Sequence, residues 1–200
     1  MTRIRTRLTA AAAAALTGLA LTACTADEGG PIAAPTSEAV TTSPAPSGSP
    51  SPATPPVEKP VRPAAVDQDT QAGAEAAVVF FLELDPYMQA TGDTSEWEAM
   101  SHESCGFCAA RSEQARQITE AGDTFTGGKT TVSILTTYAM DEFTGIWPID
   151  VQVSESASQI TQPDGVVAYS APASTYRKRV ETAQSDGKWV VLGVGEIPEG

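Results

Sequence analysis

Apolar and polar positions alternate along this chain in two different periods, and the first third follows neither. From Asp67 to Thr94 the run DQDTQAGAEAAVVFFLELDPYMQATGDT places Ala77, Phe80, Phe81, Leu84, Tyr87 and Met88 at the three-and-four spacing of one helix face. Pro86 has no N–H to give the carbonyl of Leu82, so the helix should kink or divide there, and Gly92 with Asp93 should close it. Ser95 with Glu98 makes a capping box for a second, short helix whose apolar side is Trp97 and Met100. A third helix is predicted from Ser104 or Cys105 through ARSEQARQITEAG, stopped by Gly122.

After Gly127-Gly128 the period falls to two. Val132, Ile134, Tyr138 and Met140 share one face of KTTVSILTTYAM, with Thr136 the single polar interruption. A turn at Thr144-Gly145 leads to WPIDVQVS, where Ile149, Val151 and Val153 point inward and Asp150 outward, to solvent. Pro163-Asp164-Gly165 marks the next turn, before a long strand region through AYSAPASTYRKRVETA in which Pro172 signals a bulge or an edge. Ser185-Asp186-Gly187 then makes a tight hairpin to KWVVLGVGEI. Helices followed by about four antiparallel strands on short turns predict an α+β domain over residues 67–200, with the N-terminal helices packed on one face of the sheet.

Residues 1–66 carry no such pattern. Arg3, Arg5 and Arg7 precede an apolar run from Leu8 to Leu21, too short to cross a bilayer, which reads as a signal peptide over residues 1–23. Its end, Leu21-Thr22-Ala23-Cys24, resembles the lipobox of bacterial lipoproteins, in which the cysteine is diacylated and becomes the new N-terminus. That resemblance implies lipidation of Cys24 and a place on the outer face of the cytoplasmic membrane. From there to Val66 the chain is dense in Pro, Ser, Thr and Ala and has no aromatic residue, so it cannot offset its own ordering entropy. A disordered linker over residues 24–66, semi-stiff through SPAPSGSPSPATPP, would reach at most on the order of 100 Å.

Charge narrows the partners. The chain has 25 acidic against 12 basic residues, and cleavage before Cys24 would remove three of the basic ones and no acid. That balance argues against nucleic acid and against flat adsorption to an anionic surface, leaving the lipid as the membrane partner. An envelope protein and a small ligand stay open as further partners. Of the three cysteines, spending Cys24 on lipid leaves Cys105 and Cys108 as a pair.

FFLELDPYMQATGDTSEWEAMSHESCGFC resembles the start of an uncharacterised actinobacterial lipoprotein family, domain of unknown function 6318. The finish, YRKRVETAQSDGKWVVLGV, is similar to the last hairpin of the nuclear-transport-factor-2-like superfamily. Together, over residues 67–197, these imply that the antiparallel sheet is curved and closes with the helices into a cone. Enzymes of that superfamily place an Asp with a His or Tyr inside the cone. This chain departs from the pattern: its single histidine, His102, precedes the cysteine helix, and its inward strand faces are mainly apolar.

Three readings stand for Cys105-Gly106-Phe107-Cys108. A cysteine at a helix N-terminus has its thiolate favoured by the dipole, which suits thiol-disulfide exchange, although no strand precedes the motif as in thioredoxin-like enzymes. A structural disulfide suits an oxidising compartment and is favoured here. A metal site would need His102 and a fourth ligand such as Glu103. In Arg177-Lys178-Arg179 the two arginines share a strand face, which reads as a solvated face paired with acids. Trp97, Trp147 and Trp189 read as core or rim, and Tyr138, Tyr169 and Tyr176 as candidates for the mouth of a cone. The expectation is therefore a membrane-anchored extracytoplasmic lipoprotein with a non-catalytic binding or interaction domain and no cofactor; the alternative is an envelope thiol-disulfide oxidoreductase using Cys105 and Cys108.

Overall fold

A computed structural model describes residues 57–198. Four helices come first: α1 Gln71–Glu83, α2 Asp85–Thr91, α3 Ser95–Ala99 and α4 Gly106–Glu120. Thr70 caps α1 by accepting the Gly73 N–H, and Pro86 sits in the first turn of α2, so the long apolar run is divided at Leu84. Gly92 closes α2 with a left-handed φ of 72°. The expected linker boundary at Val66 lies too late: Lys59 pairs with Glu96 at 2.6 Å, the Arg62 guanidinium lies over the Phe80 ring, and Val66 is only 2% exposed. These contacts with the helices fix a segment whose composition alone suggested none. The expected signal peptide, Cys24 and most of the expected linker lie outside the described residues.

Seven strands follow: β1 Thr124–Gly127, β2 Thr130–Thr137, β3 Trp147–Glu155, β4 Ser158–Thr161, β5 Val167–Ala171, β6 Ser174–Ser185 and β7 Lys188–Gly195. They form two antiparallel sheets, ordered β2-β3-β6-β7 and β1-β4-β5. The four-stranded sheet carries the strands that the sequence pattern predicts, with the helices on one face, so the α+β cone stands. The three-stranded sheet is unanticipated and arises from bends. Each of its strands is joined to one of the larger sheet through a two-residue corner: Gly128-Lys129 between β1 and β2, Ser156-Ala157 between β3 and β4, Pro172-Ala173 between β5 and β6. Pro172 thus divides the long strand region instead of bulging it. The corners dock on one another: Gly128 N–H donates to Ala157 O at 3.1 Å and Ser156 N–H to Lys129 O at 3.0 Å. Gly127 is required there, since at φ 78° a Cβ would stand 2.0 Å from the Ala157 carbonyl oxygen.

Val132 pairs with Val153 and Ile134 with Val151, but the register slips between Ile134 and Thr136. That bulge breaks the alternation. Tyr138 and Met140, expected on one face with Val132 and Ile134, are exposed, while Val132 and Ile134 pack on the core. The core joins α1 to the larger sheet through residues such as Phe80, Phe81, Ile149, Val151 and Val180. The edge of β7 is covered by the segment after α3, where Val191 N–H donates to Met100 O at 2.8 Å and His102 N–H to Val191 O at 2.9 Å.

Candidate functional site

The two sheets meet the helices around a cavity of about 210 Å³. Leu82, Phe107, Phe125, Val153 and Ile160 supply its apolar wall. A neighbouring groove of about 620 Å³ shares Leu82, Phe107, Val153 and Tyr176 with it. Apolar walls with a few convergent polar groups are the usual make-up of a small-ligand site.

Two polar pairs lie in this cavity. On the helix side, Cys108, Ser112, Ala115 and Ile118 of α4 are buried, and the adjoining stripe at Phe107, Arg111 and Gln114 faces the cavity. Arg111 Nε donates to Asp85 Oδ1 at 2.8 Å, Nη2 donates to the other Asp85 oxygen, and Nη1 donates to Gln114 Oε1 at 2.5 Å. Burial opposes the guanidinium's charge, but the Asp85 hydrogen bonds outweigh it and raise the Arg111 pKa above its ordinary value. On the sheet side, Val153 is the register partner of Tyr176, and Glu155 continues the inward alternation of Ile149, Val151 and Val153. Tyr176 OH donates to Glu155 Oε1 at 2.6 Å. Burial, then that hydrogen bond, pushes the phenol well above its usual range, so Tyr176 is a neutral donor.

Of the three tyrosines expected at a cone mouth, Tyr169 and Tyr176 line this cavity. Tyr138 does not: its OH donates to Asp150 Oδ2 at 3.0 Å, and the Arg179 guanidinium lies over its ring, 4.5 Å from the centroid. Asp150, expected to be solvated, is 4% exposed because Tyr138 and Arg179 cover it. Lys178 pairs with Glu196, and Arg177 lines the neighbouring groove. Trp97 and Trp189 are buried, and Trp147 packs on the core.

Asp85, Arg111, Gln114 and Glu155 escaped the sequence reading. Glu155 was legible, as an acid two positions past Val153 on the inward face, and Arg111 as the polar member of the Phe107 stripe. Their convergence was not, because it depends on the corners that fold β4 and β5 over the end of the larger sheet.

Cys105 and Cys108 are bonded to each other at the start of α4, outside the cavity. Each is 1% exposed, and Cys105 Sγ, as the helix N-cap, accepts the Cys108 N–H at 3.2 Å. His102 turns its Nδ1 to Ser104 Oγ at 2.7 Å. Among the described residues no group of three His, Cys, Asp or Glu side chains is brought together to hold a metal. No described helix is long and apolar enough to cross a membrane.

The family described as "Family of unknown function (DUF6318)" matches residues 43–195. No curated protein matches the chain. Among solved structures, the intermembrane space region of the chloroplast protein ARC6 is similar at 11% identity and a TM-score of 0.51, over 65% of this chain and 98% of that one. A protein named for NTF2 is similar at 9% identity and a TM-score of 0.40, over 63% of this chain and 98% of that one. An uncharacterised protein with a cystatin-like fold from Caulobacter vibrioides is similar at 12% identity and a TM-score of 0.37, over 64% of this chain and 91% of that one. At these identities the likeness concerns the fold alone.

Proposed function

This chain belongs to the DUF6318 family of unknown function, and we propose that it is a lipid-anchored extracytoplasmic lipoprotein whose folded domain binds a small ligand without chemically changing it. One observation carries the binding reading: a cavity with one apolar wall at the bend of the sheet, into which Asp85, Arg111, Gln114, Glu155 and Tyr176 converge. The anchor rests on the lipobox-like Leu21-Thr22-Ala23-Cys24 and the arginine-led apolar run before it. A single acyl chain holds only reversibly, so a diacylated Cys24 is what would retain the domain at the outer face of the membrane.

Metabolic labelling with palmitate tests the anchor. The full chain should take up label and partition with membranes, and Cys24→Ser should abolish both; an unlabelled wild-type chain would refute it. Native mass spectrometry of the purified protein tests the binding reading, which predicts a co-purifying small molecule released by denaturation. Turnover of a bound compound would refute the non-catalytic part.

The competing reading, an envelope thiol-disulfide oxidoreductase using Cys105 and Cys108, draws support from the bond's place at the N-terminus of α4. The burial of both residues opposes it, because exchange requires an attacking thiolate to reach one sulfur.

A further inference from the structure

Resting on the reading of the cavity as a small-ligand site, we infer that it selects a monocation: an amine carried on an apolar body about the size of one ring. Three charged side chains line the cavity, Asp85, Arg111 and Glu155. The first two neutralise each other, since Arg111 Nε and Nη2 both donate to the Asp85 carboxylate. Glu155 is different. No Lys, Arg or His forms an ion pair with it among the described residues. Its hydrogen-bond partner there, Tyr176, is a neutral donor to Oε1 alone. The cavity therefore holds one carboxylate in excess.

A half-buried carboxylate loses hydration, and an ammonium placed beside it restores a charge-assisted bond. The walls suit the same guest. Phe107, Phe125 and Tyr169 add aromatic area that accepts an apolar body, while the ring of Tyr176 already has the Lys178 ammonium 5.9 Å from its centroid. An anion would meet Glu155 and Asp85, and at Arg111 would find a guanidinium whose charge a two-point partner already balances. In the adjoining groove, Lys178 is paired with Glu196, and Arg177 is exposed to solvent screening. The surplus of 25 acidic over 12 basic residues adds a long-range field that raises the local concentration of cations.

The test uses three probes of one shape, 3-phenylpropylammonium, 3-phenylpropan-1-ol and 3-phenylpropanoate, titrated calorimetrically into the full chain carrying Cys24→Ser. The ammonium should bind about tenfold tighter than the alcohol, and the carboxylate weakest. Glu155→Gln should reduce the ammonium's affinity several-fold more than the alcohol's. In the chain with Glu155 intact, added salt should weaken the ammonium alone, a readout that does not depend on how the variant folds. Equal affinity for ammonium and alcohol, or an ammonium unaffected by both salt and Glu155→Gln, overturns the charge selection while leaving the cavity reading standing. Failure of all three probes to bind overturns both.

Discussion

Asp150 of β3 and Arg179 of β6 are register partners, and Arg179 Nε and Nη2 donate to the two Asp150 oxygens at 2.7 and 3.0 Å. Tyr138, beyond the β2 bulge, donates to the same carboxylate at 3.0 Å and lies under the guanidinium. Asp150, Arg179 and Tyr138, which directly follows β2, thus meet on the outer side of the larger sheet, and none of them lines the cavity.

Asp150→Asn should destabilise the domain by about 1–3 kcal/mol, because Arg179 keeps its charge and loses its partner. The Arg179 hydrogen bonds, opposed by burial and aided by Tyr138, hold the Asp150 carboxyl below the usual carboxylate range. A depressed folded-state value means that the unfolded chain binds the proton more readily, so this stabilisation is complete above about pH 4 and declines as pH falls through the folded-state value. Urea midpoints for wild type and variant should differ by a constant amount between pH 5 and 8 and converge in acid. A gap that widens in acid would contradict the assignment.

Reduction of Cys105–Cys108, or the double change Cys105→Ser with Cys108→Ser, should cost about 2 kcal/mol, the loop-entropy value for so short a closure. The effect should be local as well, because Phe107 and Arg111 stand on the first turns of the helix that the bond caps. Alkylation mass spectrometry in glutathione buffers should place the potential below about −300 mV. A value near that of a catalytic disulfide would instead favour the exchange reading.

Trp97 stacks on Phe81 with ring centroids 3.9 Å apart, and its Nε1 donates to Cys108 O at 2.9 Å. Trp97→Phe retains a ring but removes this bond, while Cys108 O keeps its place in the hydrogen-bond ladder of α4, so a loss of about 0.5–1.5 kcal/mol is expected. Trp97→Ala also opens a cavity and should cost about 3–5 kcal/mol. A Trp97→Phe variant as stable as wild type in chemical denaturation would show that the hydrogen bond contributes nothing, and equal losses for the two variants would show that the ring adds nothing beyond it.

Helix propensity alone says that Gly73→Ala in α1 should stabilise by about 1 kcal/mol. The packing says the reverse. An added Cβ would stand 1.9 Å from the backbone oxygen of Gln68, which itself accepts the Trp189 indole N–H at 3.1 Å. Gly73→Ala should lower the melting temperature and shift the Trp189 indole resonance; a raised melting temperature would contradict the close approach.

Much of the fold is legible from local pattern. The helix division at Pro86, the cap region before α4, the hairpin at Asp186-Gly187 and the inward set Ile149, Val151 and Val153 all depend on backbone chemistry and periodicity within a few residues. The same periodicity misplaces Tyr138 and Met140, because one extra residue in β2 reverses every face beyond it. It also misreads Asp150, whose burial comes from residues 12 and 29 positions away in the chain.

What the sequence determines by itself is the order of the helices and of the strands of the larger sheet, the α+β class and the family. What only the tertiary structure decides is the cavity. Gly128-Lys129, Ser156-Ala157 and Pro172-Ala173 turn the chain between the two sheets at neighbouring positions, and this brings Phe125, Ile160 and Tyr169 to the cavity that Arg111 and Glu155 line. A corner is a local signal, but the docking of three corners on one another is a long-range event, and a periodicity read within each segment carries no term for it.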